Sequence, residues 1–196
     1  MNGMNKIENL VDESGMITTK DIVRAKQSKT DYYNFLKEKG FEQVARGIYA
    51  SKDSWVDPLL IVHIRCPNAV VSHDVALHYY GLLDREPSVP TITIYSGYNT
   101  TRLKASGYKV FFVKREYLNI GKEDVVDFDG NIIPMYDVER TMCDLVRNRN
   151  SFEINDFNSA LKAYSRKKEK NLTKLFEYAK IFRVERLMRT YMEVLL

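Results

Sequence analysis

The sequence has few of the residues that cross-link small extracellular domains. Its two cysteines, Cys66 and Cys143, are far apart in a chain of 196 residues. Such a pair provides neither a disulfide framework nor a zinc cluster, and it is typical of proteins in the reducing cytosol. We therefore expect a cytoplasmic protein that binds no metal ion and no cofactor.

Glycine and proline are also scarce, with 9 and 5 copies, and 44% of the residues are apolar against 29% that are charged. This composition is typical of packed globular chains and argues against extensive disorder. No apolar run approaches the roughly 20 residues that a membrane-spanning helix needs. Residues 1–15 are polar and contain no signal-type apolar core. We therefore expect no membrane partner.

Positive charge is in small excess, +4 overall, and this excess alone does not indicate a nucleic-acid partner. The basic residues are nevertheless concentrated in two places. Residues 20–52 hold eight lysines and arginines against four acidic residues, and residues 162–189 hold ten against three. A local patch matters more than the net charge for binding phosphate groups, so both segments are candidates for such a surface.

The first basic segment predicts two capped helices joined by a short turn. Thr18 is followed three residues later by Asp21, and the same spacing recurs after Ser28. This spacing is typical of a capping pair at a helix N-terminus. Gly40 then predicts the end of the second helix. The residues predicted to face the core are Ile22, Val23 and Ala25 in the first helix and Tyr32, Phe35 and Leu36 in the second.

The sequence after Gly40 alternates and predicts two short strands around a turn at Arg46-Gly47. Two helices and a hairpin in this order are typical of a winged helix-turn-helix. In that arrangement the second helix enters the major groove of DNA, and the hairpin arginine reaches a phosphate or the minor groove. The residues predicted to contact DNA are Gln27, Ser28, Lys29, Thr30, Tyr33, Asn34, Lys37 and Arg46.

Two other interpretations of these residues stay open. Winged helices also bind proteins, and lysines on an outer helix face are usually only solvated. Tyr33 is either a contact to a thymine methyl or phosphate, or a partly buried core tyrosine.

Four segments resemble the AbiEi antitoxins. They read GMITTKDIVRAKQSKTDYYNFLKEKGFEQVARGIYA, VVSHDVALHYYGLLDR, YDVERTMCDLVRNR and NLTKLFEYAKIFRVERLMRTYMEVLL. Their order and spacing match the family, and together they extend over nearly the whole chain. The resemblance lies in this order, since no single motif among them is highly specific.

The resemblance implies an antitoxin of a type IV toxin–antitoxin system, linked to abortive phage infection. AbiEi-like proteins neutralise nucleotidyltransferase-like AbiEii toxins, generally without a stable complex, and their winged-helix domain represses their own operon. The expected partners are therefore double-stranded DNA of the protein's own promoter and a cognate toxin. A single winged helix reads only a few base pairs, so we expect an inverted repeat. Two copies of a chain that is monomeric in solution would occupy it cooperatively.

We predict a DNA-binding domain at residues 1–56 and an α+β antitoxin domain at residues 57–196, with a small mixed sheet and C-terminal helices. The overall fold class is therefore α+β. Within the second domain a hairpin turn is predicted at Asp129-Gly130. The predicted helices of this domain are 59–64, 72–81, 137–148, 153–166 and 171–195, and its strands lie within 91–96, 108–114 and 125–136.

No set of residues in the second domain predicts catalysis. His73 and His78 are five residues apart and do not share a helix face, unlike the i, i+4 pair of zinc sites. The DFDG segment lacks the other kinase motifs and is explained by a hairpin turn. Glu139 and Arg140 are expected to pair or cap locally. We therefore expect a protein that is not an enzyme.

The second basic segment also carries a broad apolar stripe that predicts a core-facing side. Its lysines and arginines must then face outward, either as a solvated face or as a second surface that contacts phosphates. The residues of this possible secondary basic surface are Arg166, Lys167, Lys168, Lys170, Lys174, Lys180, Arg183 and Arg186.

Two alternative functions remain beside that of an antitoxin and autorepressor. One is a winged-helix regulator whose second domain senses a ligand or a partner. The other is an antitoxin that acts enzymatically on the toxin or on the toxin's target.

Overall fold

The structure is a computed structural model that describes residues 3–54, 56–126 and 130–196. The chain forms two compact units, Met1–Arg65 and Cys66–Leu196. Both units combine helices with a β-sheet, which confirms the predicted α+β class. Among the described residues, no helix has both the length and the apolar character needed to cross a membrane.

The first unit contains one small antiparallel sheet, with strand order β1-β3-β2. The hydroxyl of Thr18 accepts a hydrogen bond from the backbone N–H of Asp21 at 3.2 Å, and the Asp21 carboxylate accepts from the N–H of Thr18. The predicted capping box is therefore confirmed. The elements of this unit are α1 (Gly3–Glu8), β1 (Met16–Thr18), α2 (Thr19–Arg24), α3 (Lys29–Glu38), β2 (Phe41–Ala45), β3 (Ile48–Ser51) and α4 (Pro58–Arg65).

Helix α3 packs its apolar side against the core of the first unit. Tyr32, Phe35 and Leu36 are buried there, as predicted. In α2 only Ile22 is fully buried, whereas Val23 is 59% exposed. The prediction that Val23 faces the core is wrong. Successive residues of a helix point about 100° apart, so Val23, which follows the buried Ile22, points away from the core.

Helix α4 belongs to the first unit. Its Leu60 packs against Met16, Ile48 and Ala50 of the small sheet, and its Val62 is 1% exposed. The predicted domain boundary after residue 56 lies before this helix, whereas the compact unit ends after α4. These apolar contacts account for the difference.

The second unit contains a mixed sheet with strand order β6-β5-β4-β8-β7. The pairs β5–β6 and β4–β8 are parallel, and the pairs β4–β5 and β7–β8 are antiparallel. The hairpin predicted within 125–136 corresponds to β7 and β8, although Asp129 of its predicted turn lies outside the described residues. The elements of this unit are β4 (Val70–Val71), α5 (His73–Tyr79), β5 (Thr91–Tyr95), α6 (Thr101–Ala105), β6 (Lys109–Val113), β7 (Lys122–Val126), β8 (Ile132–Tyr136), α7 (Val138–Arg147), α8 (Ile154–Arg166), α9 (Leu172–Ile181) and α10 (Glu185–Leu195).

Helix α7 is the centre of the second unit. Asp137 caps it as predicted, since its carboxylate accepts a hydrogen bond from the N–H of Arg140 at 2.7 Å. The residues from Glu139 to Val146 are all buried. Helices α5, α9 and α10 pack against α7, so most of the polar groups on this helix must find partners inside the protein.

The prediction of a single helix at 171–195 is wrong, because the structure has two helices there, α9 and α10. Arg183 lies between them with a left-handed φ of 59°. Phe182 and Val184 on either side of it are buried. Residues 171–195 contain neither glycine nor proline, so the sequence gives no local sign that the helix ends there. Burial of the two flanking side chains accounts for the break.

Candidate functional site

The outer face of α3 is formed by polar and basic side chains. Ser28 caps the helix by accepting a hydrogen bond from the N–H of Asp31 at 3.3 Å, and the three buried side chains described above fix which side faces the core. The opposite side is exposed and contains the predicted residues Lys29, Thr30, Tyr33, Asn34 and Lys37. A helix with one anchored side and one polar side can present its side chains to a groove.

The two predicted residues before α3 have structural roles of their own. Gln27 is half-buried, and its side-chain amide donates to the carbonyl of Ala25 at 2.9 Å. The hydroxyl of Ser28 is occupied by the cap. Both residues therefore shape the turn between α2 and α3 and are less available for a ligand than the exposed residues of α3.

The turn between β2 and β3 places Arg46 at the tip of a hairpin. Gly47 has a φ of +77°, a left-handed conformation that glycine adopts without steric cost. The carbonyl of Gly47 accepts a hydrogen bond from the N–H of Thr19 at 2.9 Å, so the turn is fastened to the start of α2. Arg46 itself is exposed.

Tyr33 connects α3 with the hairpin. Its ring lies 5.3 Å from that of Tyr32, and the ring of Tyr32 lies 5.7 Å from that of Tyr49 in β3. Burial, and next to it the neighbouring Tyr33, raise the pKa of Tyr49. Tyr33 is nevertheless 51% exposed. It is therefore both a packing residue and an accessible aromatic side chain.

Three cations of this surface are available for a polyanion. Lys29, Lys37 and Arg46 form no ion pair with any residue that the structure describes, whereas Lys39 pairs with Glu8 at 3.0 Å. Asp31 also lies on the exposed side of α3, so the surface is not uniformly positive. We call Lys29, Thr30, Tyr33, Asn34, Lys37 and Arg46 the α3–hairpin surface.

In the second unit, the predicted basic residues fall into two groups. Lys174 is neutralised within the fold, because its ammonium lies 2.9 Å from Asp137 and 3.9 Å from Glu139. Burial opposes its charge, but the hydrogen bond and charge of Asp137 outweigh burial and raise the pKa of Lys174. Lys170 donates to the carbonyl of Lys167, and both are half-buried. The exposed members are Arg166, Lys168, Lys180, Arg183 and Arg186.

The polar residues of α7 make structural contacts inside the second unit. Arg140 is fully buried, and its Nε donates to Asp144 at 2.9 Å. Its Nη1 donates to the carbonyls of Tyr117 and Ile120 at 3.0 and 2.7 Å. Glu139 accepts a hydrogen bond from the N–H of Asn171 at 3.0 Å, just before α9. Arg140 therefore pairs within its own helix, as predicted. Glu139 does not cap locally, because its partner is 32 residues further along the chain.

Ser72 and His73 form a buried hydrogen-bonded chain that sequence reasoning did not identify. His73 Nδ1 lies 2.9 Å from Ser72 Oγ, and His73 Nε2 lies 3.0 Å from the side-chain amide of Asn148. That amide also donates to the carbonyl of Asp144, so its nitrogen faces the ring and Nε2 is the acceptor. His73 Nδ1 then carries the proton and donates to Ser72.

This arrangement does not activate Ser72 as a nucleophile, because the histidine donates to the hydroxyl instead of accepting its proton. Burial, and next to it the charge of Lys109, hold the pKa of His73 well below its ordinary value of 6.5. Within the described parts of the chain, no three histidine, cysteine, aspartate or glutamate residues are grouped as metal ligands. The SHD triplet in an otherwise apolar stretch was the available sequence signal for this cluster.

Comparisons with known proteins place the chain by its fold. No protein-family model matches it, and no curated protein is significantly similar in sequence. A solved structure, the RV2827C protein from Mycobacterium tuberculosis, superposes with a TM-score of 0.65 at 15% identity. The match covers 95% of this chain and 75% of that chain. This likeness shows a shared α+β fold and does not bear on the AbiEi resemblance.

Proposed function

We propose that the first unit is a winged helix-turn-helix that binds double-stranded DNA. The observation that carries this proposal is the α3–hairpin surface, which combines an outward polar helix face with an arginine at a fastened hairpin turn. Ten residues of α3 span about 15 Å, at 1.5 Å per residue. With its side chains an α-helix is about 10–12 Å across, so it fits the major groove, which is about 12 Å wide.

The residues of this surface divide into two roles under the proposal. Lys29 and Asn34 point toward base edges, where lysine recognises guanine and asparagine recognises adenine. Lys37 and Arg46 neutralise phosphates and fix the register of the protein on the duplex. Tyr33 supplies an aromatic contact to a thymine methyl or to the backbone.

We further propose that the target is an inverted repeat in the protein's own promoter, occupied cooperatively by two copies of a monomer. A single α3 contacts too few base pairs to specify an operator, so a specific operator needs two half-sites. Binding there would repress the operon. The proposal places this activity in the cytoplasm, consistent with buried free thiols at Cys66 and Cys143.

For the second unit we propose neutralisation of a nucleotidyltransferase-like toxin, without catalysis and without a stable complex. This part is supported by the four segments that resemble AbiEi antitoxins, three of which lie in Cys66–Leu196. The exposed basic residues of α8 to α10 are candidates for a second contact to nucleic acid. The proposal thus assigns repression to one unit and toxin neutralisation to the other.

The DNA-binding part is tested by fluorescence anisotropy of the full chain with the DNA upstream of its own gene. A scrambled duplex of equal length and composition is the control. The proposal expects at least about a thousandfold preference for the native fragment at physiological salt. Equal affinity for both duplexes, or no binding, would overturn it.

The antitoxin part is tested by co-expression with the gene adjacent to its own in the genome. Growth arrest by that gene product, relieved by the full chain, is the expected result. Co-purification of the two proteins at equal stoichiometry would contradict neutralisation without a stable complex. Failure to relieve the arrest would contradict the antitoxin function itself, independently of DNA binding.

A further inference from the structure

One edge of the mixed sheet in the second unit is both basic and aromatic. Residues 87–115, which contain β5, α6 and β6, hold five basic and five aromatic residues and no acidic residue. Strand β6 is the edge strand of the sheet, with β5 as its neighbour. Basic residues interleaved with aromatic ones are typical of surfaces that bind nucleic acid. This edge belongs to neither of the basic surfaces described above.

One face of this edge carries an exposed aromatic ring. Phe112 in β6 is 42% exposed, and the ammonium of Lys104 in α6 lies 5.9 Å from the centre of its ring. Phe112 pairs in register with Ile94 of β5, so its ring is near the C-terminal end of both parallel strands. The exposed ring and the ammonium beside it offer a nucleotide a surface for its base and a cation for its phosphate.

The other face carries a guanidinium that is held over a second ring. Tyr95 pairs with Val113 at the next position along the two strands, and neighbouring residues of a strand point to opposite faces of the sheet. Arg115 lies over the Tyr95 ring, with its guanidinium carbon 4.2 Å from the ring centre. The ring of Tyr98 packs against that of Tyr95 at 5.6 Å. These contacts position Arg115, which is exposed, and guanidinium planes stack on unpaired bases.

The exposed cations of this edge are available to phosphate groups. Arg102, Lys104 and Arg115 form no ion pair with any residue that the structure describes. Lys114 lies 3.7 Å from Glu116, but the two side chains are 69% and 63% exposed, and such a surface pair contributes little. The name β6 corner is used below for the following residues: Tyr95, Arg102, Lys104, Phe112, Lys114 and Arg115.

The position of the two stacking groups on opposite faces of one strand end selects among nucleic acids. A duplex is stiff over about 150 base pairs and keeps its bases stacked inside, so it cannot reach both groups. A single strand can pass around the edge with its bases unstacked. Just after Tyr95, the exposed Asn99 and Thr101 supply an amide and a hydroxyl for a ribose 2′-hydroxyl. We propose that the β6 corner binds single-stranded RNA, with its phosphates on the cations and its bases on Arg115 and Phe112.

The β6 corner and the α3–hairpin surface belong to different units, so the two proposals are tested separately. Fluorescence anisotropy of the full chain compares labelled oligouridine with oligodeoxyuridine of equal length. The proposal expects saturable binding of oligouridine, weakened by added salt, and weaker binding of oligodeoxyuridine. The double variant Lys29→Ala with Arg46→Ala should bind oligouridine as the wild type does. Loss of oligouridine binding in this variant would place the RNA on the α3–hairpin surface and overturn the proposal, as would tighter binding of oligodeoxyuridine.

Substitutions decide whether the RNA stacks on the β6 corner. Arg115→Lys keeps the charge and removes the guanidinium plane, and Phe112→Leu keeps an apolar side chain and removes the ring. Each should weaken oligouridine binding roughly tenfold, as loss of one stacked base implies. The matched controls are Lys122→Ala, which removes an exposed cation from β7 at the opposite edge of the sheet, and Tyr79→Leu, which removes a ring that is 48% exposed on α5. Both should leave binding unchanged.

Thermal melts verify that each variant folds, and the substitution of exposed Arg115 carries the test if Phe112→Leu is destabilised. Absence of saturable oligouridine binding would overturn the proposal. Wild-type affinity in Arg115→Lys, or equal weakening by the controls, would overturn it as well.

Discussion

Arg140 and Asp144, one turn apart on α7, form an ion pair from which solvent is excluded at both ends. The Nε–Oδ2 distance is 2.9 Å, and the side chains are 0% and 3% exposed. The guanidinium also lies between the rings of Tyr136 and Phe182, at 4.0 and 3.9 Å from their centroids. Arg140 therefore joins α7, the 117–120 turn and the break between α9 and α10.

Asp144→Asn should destabilise the second unit strongly, because it leaves a buried guanidinium without a counter-charge. Breaking such a pair typically costs about 3–5 kcal/mol. Arg189 and Glu185 provide a control with the same i, i+4 spacing and a 3.1 Å contact on the exposed side of α10. Glu185→Gln should change the free energy of unfolding by less than about 0.5 kcal/mol. Urea denaturation measures both, and equal losses would contradict the structural role of Arg140.

Gly121→Ala should be more destabilising than Gly81→Ala. Both glycines have left-handed φ angles, +71° and +69°, so the conformational penalty of about 1–2 kcal/mol is common to both. A Cβ at Gly121 would lie 2.5 Å from Cβ of Arg140, whereas a Cβ at Gly81 would meet no atom of the described residues within 4 Å. Because the conformational penalty is common to both variants, the difference between their melting temperatures measures the steric cost of the Cβ at position 121. Similar values would show that the chain near Arg140 relaxes freely.

The stability of the second unit should fall as the pH drops below about 6.5. Burial lowers the pKa of His73 in the folded state, so the unfolded chain binds the proton first. The contribution of neutral His73 to the free energy of unfolding is complete above pH 6.5. Below pH 6.5 this contribution is lost, by at most about 1.4 kcal/mol per pH unit. His73→Asn keeps a residue that tolerates the observed φ of 54° and should show a shallower pH dependence. Urea denaturation between pH 5.5 and 7.5 tests this, and parallel curves would contradict it.

A fragment 1–65 should be more stable than a fragment 1–56. The longer fragment keeps α4, whose Leu60 covers Met16, Ile48 and Ala50. Loss of the helix exposes this cluster, and Leu60→Ala in the longer fragment should cost about 2–5 kcal/mol by itself. Thermal unfolding monitored by circular dichroism compares the three proteins. Equal melting temperatures of the two fragments would show that α4 contributes nothing to the first unit.

Local signals explain which features could be predicted from the sequence. The starts of α2, α3 and α7 follow from capping residues at fixed spacing, such as Thr18 with Asp21, since a cap acts over one turn. The buried side of α3 follows from its apolar period. Val23 and the break at Arg183 were mispredicted, because their environments depend on packing by residues far along the chain.

The ion pair between Lys109 and Asp74 was not predictable for the same reason. Asp74 lies in α5 and Lys109 lies in β6, and the packing of α5 on β5 and the pairing of β5 with β6 bring the two side chains together. The α3–hairpin surface was predicted residue by residue because its members lie within twenty residues of one another. Gln27 and Ser28 belong to the turn and cap instead of the exposed face.

The central claim, that the α3–hairpin surface binds operator DNA, is tested most directly by comparing Lys29→Ala and Arg46→Ala with Lys52→Ala. Lys52 is 67% exposed, and its ammonium is 3.9 Å from Glu42 at the end of the hairpin opposite the turn, so all three variants lose the same charge from the same unit. Anisotropy titrations with the promoter duplex at several salt concentrations, with circular dichroism as a folding control, give the affinities. We predict a loss of about 1–3 kcal/mol for Lys29→Ala and a salt slope reduced by about one for Arg46→Ala, with little change for Lys52→Ala. Wild-type affinity in both Lys29→Ala and Arg46→Ala would contradict the account.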